Sequence, residues 1–441
     1  MHYGYFCALT ISSACDNVKV FIETYGCTAN KSDSDAIAAM LKNARHIVSK
    51  TLESSDTVVV NSCGVKDAAE KKIIHRVKEL HKTGRKVVLC GCLPYINIER
   101  TKTLAERGVD IVGLDKKKLE GIFGMPGKKR VDAGRGPERM FTEPIARIPI
   151  CSGCLSNCTF CATRLARGRL KSNSRTDILG WISDAVGLGA KEIQLTGQDI
   201  GCYGLDNDTP LGSLLHDIEN IEGDFKVRLG MFNPNYIDRL PKDIFAGERF
   251  YKFVHIPVQS GNDGVLNDMK RPYKAHEAME FIRDLRDEFG DKYITFWTDL
   301  IVGFPTEDDG AFHDSIDFIS NTRPDCVNVS RFWPRPRTVA AGMKQLPVTV
   351  MKRRSAEMTA LCDNMTFERN KQHIGSREEI SILEYGTKET LKGRTDSYNQ
   401  VIIKQNMDKR DGNRSIGLGS RILVDIGSAT CTGLIGTITN V

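Results

Sequence analysis

Residues 147–161 read Arg-Ile-Pro-Ile-Cys-Ser-Gly-Cys-Leu-Ser-Asn-Cys-Thr-Phe-Cys, a short apolar strand followed directly by a turn rich in cysteine. From there to residue 345, β-branched segments alternate with amphipathic helical patterns. Strands that alternate with helices pair in parallel, and six such units predict an incomplete (βα)6 barrel over residues 143–345. The active residues of such a barrel stand at the carboxyl ends of its strands. The predicted strands are 147–150, 192–195, 226–229, 253–257, 294–302 and 327–332.

The region before this barrel, residues 1–125, alternates in the same way. It predicts an open, mainly parallel α/β sheet. Its predicted strands are 18–24, 57–61, 86–89 and 110–112, and its predicted helices are 33–41 and 67–80. The polar stretch 126–142, with several glycines and basic residues, predicts a linker between the two units.

The region after the barrel changes character. Residues 346–373 predict a helical connector. In residues 374–441 the segments 378–383, 399–403 and 421–426 alternate in the β manner, with glycine at many turns. This pattern predicts a small antiparallel β-barrel, an architecture that often binds nucleic acid.

The composition excludes several classes of protein. The chain has 441 residues, 40% of them hydrophobic and 27% charged. It contains no run of about eighteen apolar residues and no signal-peptide pattern, so a soluble, cytoplasmic protein without a membrane partner is expected. The net charge of +6 permits a nucleic-acid partner without requiring one. Fourteen cysteines in a chain of this size favour metal binding over disulfides.

The first cysteine group is Cys154-x3-Cys158-x2-Cys161, directly after the first barrel strand. Three thiolates at these spacings can hold a [4Fe–4S] cluster and leave its fourth iron without a protein ligand. That iron can chelate S-adenosylmethionine, whose reductive cleavage gives a 5′-deoxyadenosyl radical. A zinc site is the alternative, in which Cys151 completes four ligands, although structural zinc sites rarely use this spacing. Otherwise Cys151 is expected to be a small buried residue.

The second cysteine group is spread along the N-terminal region. Cys27, Cys63 and Cys92 each follow a predicted strand, so a parallel sheet would bring them to one carboxyl edge. Three cysteines there can hold a second cluster; the alternative is three unrelated buried cysteines. Cys90 competes with Cys92, which is preferred because it lies beyond the strand in the turn Gly-Cys-Leu-Pro.

Other candidate residues stand at strand ends of the barrel. Gly197, Gln198 and Asp199 follow the second barrel strand and are candidate contacts for S-adenosylmethionine, with a turn capped by the aspartate as the equal alternative. Arg271 and Arg335 can meet a carboxylate or a phosphate, but exposure to solvent is the default for an arginine.

The motifs together resemble those of the methylthiotransferases, a family of radical S-adenosylmethionine enzymes, over nearly the whole chain. The N-terminal motifs are Glu23-Thr-Tyr-Gly-Cys27, Asn61-Ser-Cys63 with Ala69-Glu-Lys71, and Gly91-Cys-Leu93. The barrel motifs are Gly153–Cys161 with Ala166-Arg-Gly168, His255–Gly261, Met269-Lys-Arg271 and Thr298–Pro305. Residues 374–441 resemble the family's RNA-binding TRAM domain, with Arg394-Thr395 and Tyr398 at its usual positions.

Three strings most resemble the archaeal and eukaryotic branch of the family: Leu195–Asp199 with Cys202-Tyr-Gly204, Gly230–Pro234 and Ser330–Pro336. That branch adds a methylthio group to C2 of N6-threonylcarbamoyladenosine at position 37 of tRNA. The eukaryotic members often end in a membrane anchor, which this sequence lacks, so an archaeal member is expected.

The resemblance implies two [4Fe–4S] clusters and two uses of S-adenosylmethionine, one for the radical and one for the methyl group. The cluster on Cys27, Cys63 and Cys92 would present the sulfur. The implied partners are the anticodon loop of tRNA and an electron donor such as ferredoxin or flavodoxin. Three alternatives stay open: the branch that methylthiolates an aspartate of a ribosomal protein, the branch that acts on isopentenyladenosine, and a non-catalytic RNA-binding protein with structural metal sites.

The sequence departs from the family at two turns. Thr306-Glu-Asp308 stands where the family usually has Gly-Glu-Thr, and Arg335-Pro-Arg-Thr338 stands where it has Arg-Pro-Gly-Thr. Losing a glycine from a turn puts the shape of that loop in question, because only glycine adopts every backbone conformation at no steric cost.

Overall fold

The structure is a computed structural model that describes residues 17–65, 67–125, 144–387, 389–404, 410–411 and 414–439. The predicted linker 126–142 lies outside the described residues. No helix among those that are described combines the length and the apolar character that a membrane span requires.

The N-terminal region forms a five-stranded, wholly parallel sheet in the order β2-β1-β3-β4-β5. Every residue of the central strand β3 is buried, because helices cover both faces of the sheet. The first helix begins at Thr28, directly after Cys27, and so starts earlier than the prediction of 33–41. The strands are β1 (Lys19–Thr24), β2 (Ile47–Val48), β3 (Thr57–Ser62), β4 (Lys86–Gly91) and β5 (Asp110–Gly113). The helices are α1 (Thr28–Asn43), α2 (Asp67–Lys82), α3 (Leu93–Ile96), α4 (Ile98–Ala105) and α5 (Lys116–Ile122).

The central region is the predicted incomplete parallel barrel. Its six main strands form two parallel sheets, ordered β10-β9-β6 and β11-β12-β13, and single bridges between Val227 and Phe250 and between Met231 and His255 connect them. The strands are β6 (Ile145–Pro149), β7 (Cys151–Ser152), β8 (Lys171–Ser172), β9 (Glu192–Thr196), β10 (Lys226–Arg228), β11 (Phe253–His255), β12 (Thr295–Val302) and β13 (Cys326–Arg331).

Helices surround this barrel and bury its largest apolar core. They are α6 (Thr163–Arg167), α7 (Arg175–Gly187), α8 (Leu211–Glu219), α9 (Asp263–Asp268), α10 (Ala275–Phe289) and α11 (Asp309–Thr322). Four 3₁₀ helices complete the region: Ile200–Cys202, Pro234–Arg239, Lys242–Phe245 and Val339–Gly342.

A long helix, α12 (Val348–Lys371), leads to a closed five-stranded barrel in the order β14-β15-β16-β20-β19. The barrel was predicted as antiparallel, and four of its pairings are, but β16 and β20 pair in parallel because β20 closes the barrel against it. The barrel strands are β14 (Arg377–Tyr385), β15 (Thr390–Arg394), β16 (Gln400–Lys404), β19 (Arg421–Thr430) and β20 (Gly433–Ile438). Two further short strands, β17 (Arg410–Asp411) and β18 (Arg414–Ser415), form a separate antiparallel pair.

The C-terminal barrel docks on the amino-terminal end of the central barrel through Tyr398. This side chain is buried, its ring lies 4.7 Å from that of Phe253, and its hydroxyl lies 3.4 Å from a carboxylate oxygen of Glu192. Glu192 and Phe253 begin their strands. Tyr398 therefore has a packing role here, and its ring is not exposed for contact with RNA.

Candidate functional site

The loop that carries Cys154, Cys158 and Cys161 leaves the carboxyl end of β6 and is closed by a short antiparallel pair, β7 with β8. Gly153 has a φ of +75°, and a Cβ there would lie 2.0 Å from the carbonyl oxygen of Arg169. Only glycine fits at such a position. The sequence therefore lets two backbone segments meet directly behind the cysteines.

All three cysteines of this loop are free and half-buried. A side-chain contact with Cys202, followed by burial, raises the pKa of Cys154, and burial raises that of Cys158. Cys202 is fully buried and donates its thiol to the carbonyl oxygen of Asp199 at 3.0 Å. No spacing rule in the sequence indicates that Cys202 lies beside the loop.

Arg271 is the cation next to this loop. The default expectation of a solvent-exposed arginine is wrong for this residue, since it is only 8% exposed. Its Nη1 donates to the sulfur of Cys158 at 3.5 Å, and its Nη2 donates to the carbonyl oxygen of Pro257 at 2.7 Å. A buried guanidinium at this distance favours a thiolate at Cys158.

The predicted contacts for S-adenosylmethionine lie against the same loop. Gln198 accepts a hydrogen bond from the backbone N–H of Gly153 at 2.7 Å, so its side chain supports the cysteine loop. Asp199 accepts from the backbone N–H groups of Gly201 and Asn233, both at 3.1 Å, and thus caps the following 3₁₀ helix as the alternative foresaw. Burial raises the pKa of Asp199. At Gly197, a Cβ would lie 2.8 Å from the sulfur of Cys151.

The second cysteine group lies at the carboxyl edge of the N-terminal sheet. Cys27 caps α1, Cys63 follows β3, and Cys92 follows β4. A Cβ at Gly26 would lie 2.9 Å from the Cβ of Cys63, so the loop of Cys27 approaches that of Cys63 closely. Side-chain and backbone hydrogen bonds between Asn30 and Asn61, at 2.7 to 3.2 Å, hold the two loops together.

The three thiols of this group differ in exposure: Cys27 is exposed, Cys63 is half-buried and Cys92 is buried. Burial raises the pKa of Cys92 to about 11, and the charge of Arg167 opposes that shift. Cys27 lies close enough to affect the pKa of both Cys63 and Cys92. Cys90, the competing candidate, is buried within β4 among the apolar residues of one face.

Arg167 connects the two cysteine groups. It ends α6, the helix that follows Cys161, and its Nη2 lies 2.5 Å from a carboxylate oxygen of Asp33 in α1. Its side chain is only 6% exposed and interacts with Cys92. The string Ala166-Arg-Gly168 points to this residue, but the sequence does not indicate its partners on another domain.

Arg335 makes a second connection between the domains. The expectation of a solvent-exposed side chain is wrong for it as well: it is 4% exposed and pairs with Glu70 of α2, which is fully buried. Its guanidinium opposes the rise in pKa that burial causes at Cys63. A carboxylate partner was the other reading of this residue, and the structure has one.

The two departures at turns have different outcomes. Arg337, which replaces the family's glycine, has a φ of +65°, so the turn keeps a left-handed conformation. Its Nη2 donates to the carbonyl oxygen of Tyr95, a contact that glycine would lack. Thr306 is not among the residues with positive φ, so its backbone does not require glycine.

The two sets of cysteines fit iron–sulfur clusters in their chemistry. Among the described residues, no three Cys, His, Asp or Glu side chains are grouped to hold a single metal ion. A [4Fe–4S] cluster makes a different demand, because its thiolates bind separate iron atoms. Each set has three free cysteines beside a buried arginine, Arg271 in the first set and Arg167 in the second. The positive charge of the arginine would stabilise an anionic cluster.

Comparison with known families agrees with this architecture. Residues 19–113 match the uncharacterized protein family UPF0004, and residues 148–319 match the radical SAM superfamily. A solved structure of a radical S-adenosylmethionine methyltransferase, TsrM from Kitasatospora setae, has a similar fold, with a TM-score of 0.55 and 13% identity over 82% of this chain and 79% of that one. The fold is thus that of a radical S-adenosylmethionine enzyme with an added N-terminal α/β domain.

Several relatives are similar over most of this chain. A probable threonylcarbamoyladenosine tRNA methylthiotransferase of Pyrococcus abyssi is 39% identical over 96% of this chain and 99% of its own. One of Archaeoglobus fulgidus is 38% identical over 88% and 93%, and the human protein is 31% identical over 88% and 70%. The chain belongs to the threonylcarbamoyladenosine tRNA methylthiotransferase family.

Proposed function

We propose that this chain converts N6-threonylcarbamoyladenosine at position 37 of tRNA into its 2-methylthio derivative by radical S-adenosylmethionine chemistry. The observation that carries the proposal is the pairing of two cysteine groups, at the carboxyl edges of two different sheets, across Arg167. The family membership supports the same reaction. The alternative of a non-catalytic protein leaves two such groups without a use.

In the proposed site, Cys154, Cys158 and Cys161 hold one [4Fe–4S] cluster, and Cys27, Cys63 and Cys92 hold the other. When bound, the first supplies the electron that cleaves S-adenosylmethionine, and the second supplies the position at which sulfur is presented. C2 of adenine does not react with ordinary nucleophiles, which is why radical chemistry is needed.

The chain's own residues hold these groups in place. Gln198 and Gly153 fix the backbone behind the first cysteine group, and Arg271 donates to the sulfur of Cys158. Arg167 holds α1, and with it Cys27, against the barrel. Gly197, Gln198 and Asp199 line the back of the loop at which S-adenosylmethionine would bind.

The proposed partners follow from the same chemistry. The target base must leave the stacked anticodon loop to reach the site. An electron must come from outside the chain, and a small donor such as ferredoxin or flavodoxin is proposed. In this proposal each region has its own role. Residues 1–125 present the sulfur, and residues 143–345 generate the radical. Residues 346–373 form the connector, and residues 374–441 bind RNA.

The test is anaerobic reconstitution followed by turnover on tRNA that contains threonylcarbamoyladenosine, with nucleosides analysed by mass spectrometry. We expect about eight iron atoms per chain and about four after alanine replacement of either cysteine group. The variant Cys27→Ala should still cleave S-adenosylmethionine but make no methylthio product. Product on a ribosomal protein and none on tRNA would reject the proposal, as would eight irons in the variant that lacks Cys154, Cys158 and Cys161.

A further inference from the structure

Residues 332–338 form a loop at the carboxyl end of β13, between the central barrel and the N-terminal domain. Phe332 is buried, and its ring packs 5.4 Å from that of Phe304. The next residue, Trp333, points the other way and is 48% exposed. The active residues of a parallel barrel lie at this edge, so a large aromatic side chain that is half exposed here can contact a substrate.

This loop is held rigidly, so the position of Trp333 is defined. Arg335 pairs with the buried Glu70, and Arg337 donates to the carbonyl oxygen of Tyr95, so two of the loop's side chains fasten it to the N-terminal domain. Pro334 and Pro336 restrict its backbone further. An aromatic ring that is already ordered loses little entropy when a ligand stacks on it.

The surroundings of the ring are basic and close to the second cysteine group. The ammonium of Lys71, on α2, lies 5.8 Å from the centre of the Trp333 ring and 2.8 Å from a carboxylate oxygen of Asp67. Arg331 and Arg337 flank the tryptophan in sequence and are exposed. Arg335, two residues away, pairs with Glu70 of α2, the helix that begins four residues after Cys63. The ring therefore stands beside the N-terminal domain that carries the second cysteine group, with Lys71 and Arg331 near it.

We propose that Trp333 is a stacking platform for a base next to the target nucleotide in the RNA substrate, with Lys71 and Arg331 facing the phosphates. The inference rests on the proposed function, whose substrate must be unstacked before it can react. Exposed aromatic rings flanked by lysine and arginine are a common means of holding single-stranded RNA. The positive charges favour RNA over an apolar peptide as the occupant.

The test uses the reconstituted holoenzyme and a synthetic anticodon stem-loop with threonylcarbamoyladenosine at the target position. Trp333→Ala should weaken binding, measured by fluorescence anisotropy, by roughly 5- to 100-fold, and should raise KM accordingly. Trp333→Phe should restore most of the affinity. Tyr293→Ala is the matched control, because Tyr293 is a 56% exposed aromatic residue just before the start of β12, at the opposite end of the barrel.

A second pair of ligands tests stacking directly. Each of two stem-loops lacks the base on one side of the target nucleotide. One of them should bind the native enzyme more weakly than the intact stem-loop does. Trp333→Ala should bind that same stem-loop as tightly as it binds the intact one. If neither flank behaves in this way, or if Trp333→Ala binds the intact stem-loop as tightly as Tyr293→Ala does, the inference is wrong.

Two further measurements distinguish a failure of this inference from a failure of the proposed function on which it rests. Failure of the native enzyme to make the methylthio nucleoside would reject the proposed function, whereas normal product with unchanged binding by Trp333→Ala would reject only the platform. A variant that binds RNA normally but accepts electrons more slowly from a reduced flavodoxin would assign Trp333 to a protein-docking surface and overturn the inference. Iron content equal to that of the native enzyme is expected in all variants.

Discussion

Removing one partner of the buried ion pair between Arg335 and Glu70 should weaken the attachment of the N-terminal domain to the barrel. The variant is Arg335→Met, which keeps most of the aliphatic part of the side chain and removes its charge. Breaking a buried pair by removing one partner costs about 3–5 kcal/mol, because the other charge stays buried. Here Glu70 keeps Arg100 at 2.6 Å and Asn97 at 2.7 Å, so the lower end, about 3 kcal/mol, is expected.

The converse change, Glu70→Gln, should cost more. Arg335 is 4% exposed, and its Nε has no hydrogen-bond partner among the described residues, so the guanidinium would lose its counter-ion with little to replace it. We expect about 5 kcal/mol for this variant. The double variant should cost clearly less than the sum of the two, because neither charge is then left alone.

Urea denaturation under anaerobic conditions, followed by circular dichroism, measures these costs. The shift of the midpoint is the cost divided by the m-value, so a loss of about 3 kcal/mol moves it by about 1 M for an m-value of about 3 kcal/mol/M and by less for the larger m-value of a longer chain. The control is Arg353→Met, whose partner Asp309 is exposed, as is Arg353 itself; its midpoint should hardly move. If Arg335→Met shifts the midpoint no more than Arg353→Met does, or if the two core changes are additive, the reasoning is refuted.

Three more outcomes are expected. Arg271→Met should lower the reduction potential of the proposed cluster on Cys154, Cys158 and Cys161, because a hydrogen bond to a ligand sulfur is lost; Arg271→Lys should lower it less, as read by an EPR titration. Gly153→Ala should cut iron from about eight to about four atoms per chain, whereas Gly180→Ala, in a helix with open space around it, should not change the iron content. Lys191 and Arg421 hold the pKa of Asp224 below its ordinary value, so its bridge stabilises the fold at neutral pH and is lost as the pH falls through the lowered pKa. Asp224→Asn should therefore cost under about 1 kcal/mol at pH 7, and its midpoint should converge with that of the native protein only as the pH falls below about 3.9, the ordinary pKa of an aspartate.

The sequence was sufficient to predict the strands and the grouping of the cysteines, because both depend on local patterns. β-branched runs marked all six barrel strands, although the bounds moved by a few residues, as for the first strand at Ile145–Pro149. The rule that parallel strands share a carboxyl edge was enough to group Cys27, Cys63 and Cys92. The parallel pairing of β16 with β20 was missed, because register between distant strands has no local signature.

Local patterns were enough to predict the alternation of strands and helices, and the same patterns show the glycine before Cys154 and the spacing of each cysteine group, since these depend on a few neighbouring residues. The burial of Arg271, Arg335 and Tyr398 is visible only in the folded chain, as is the support that Gln198 gives to the loop of Cys154. The reason is physical: whether a charged side chain is solvated or paired depends on what a distant segment places beside it. Arg335 and Glu70 stand 265 residues apart in the chain, and only folding brings them together.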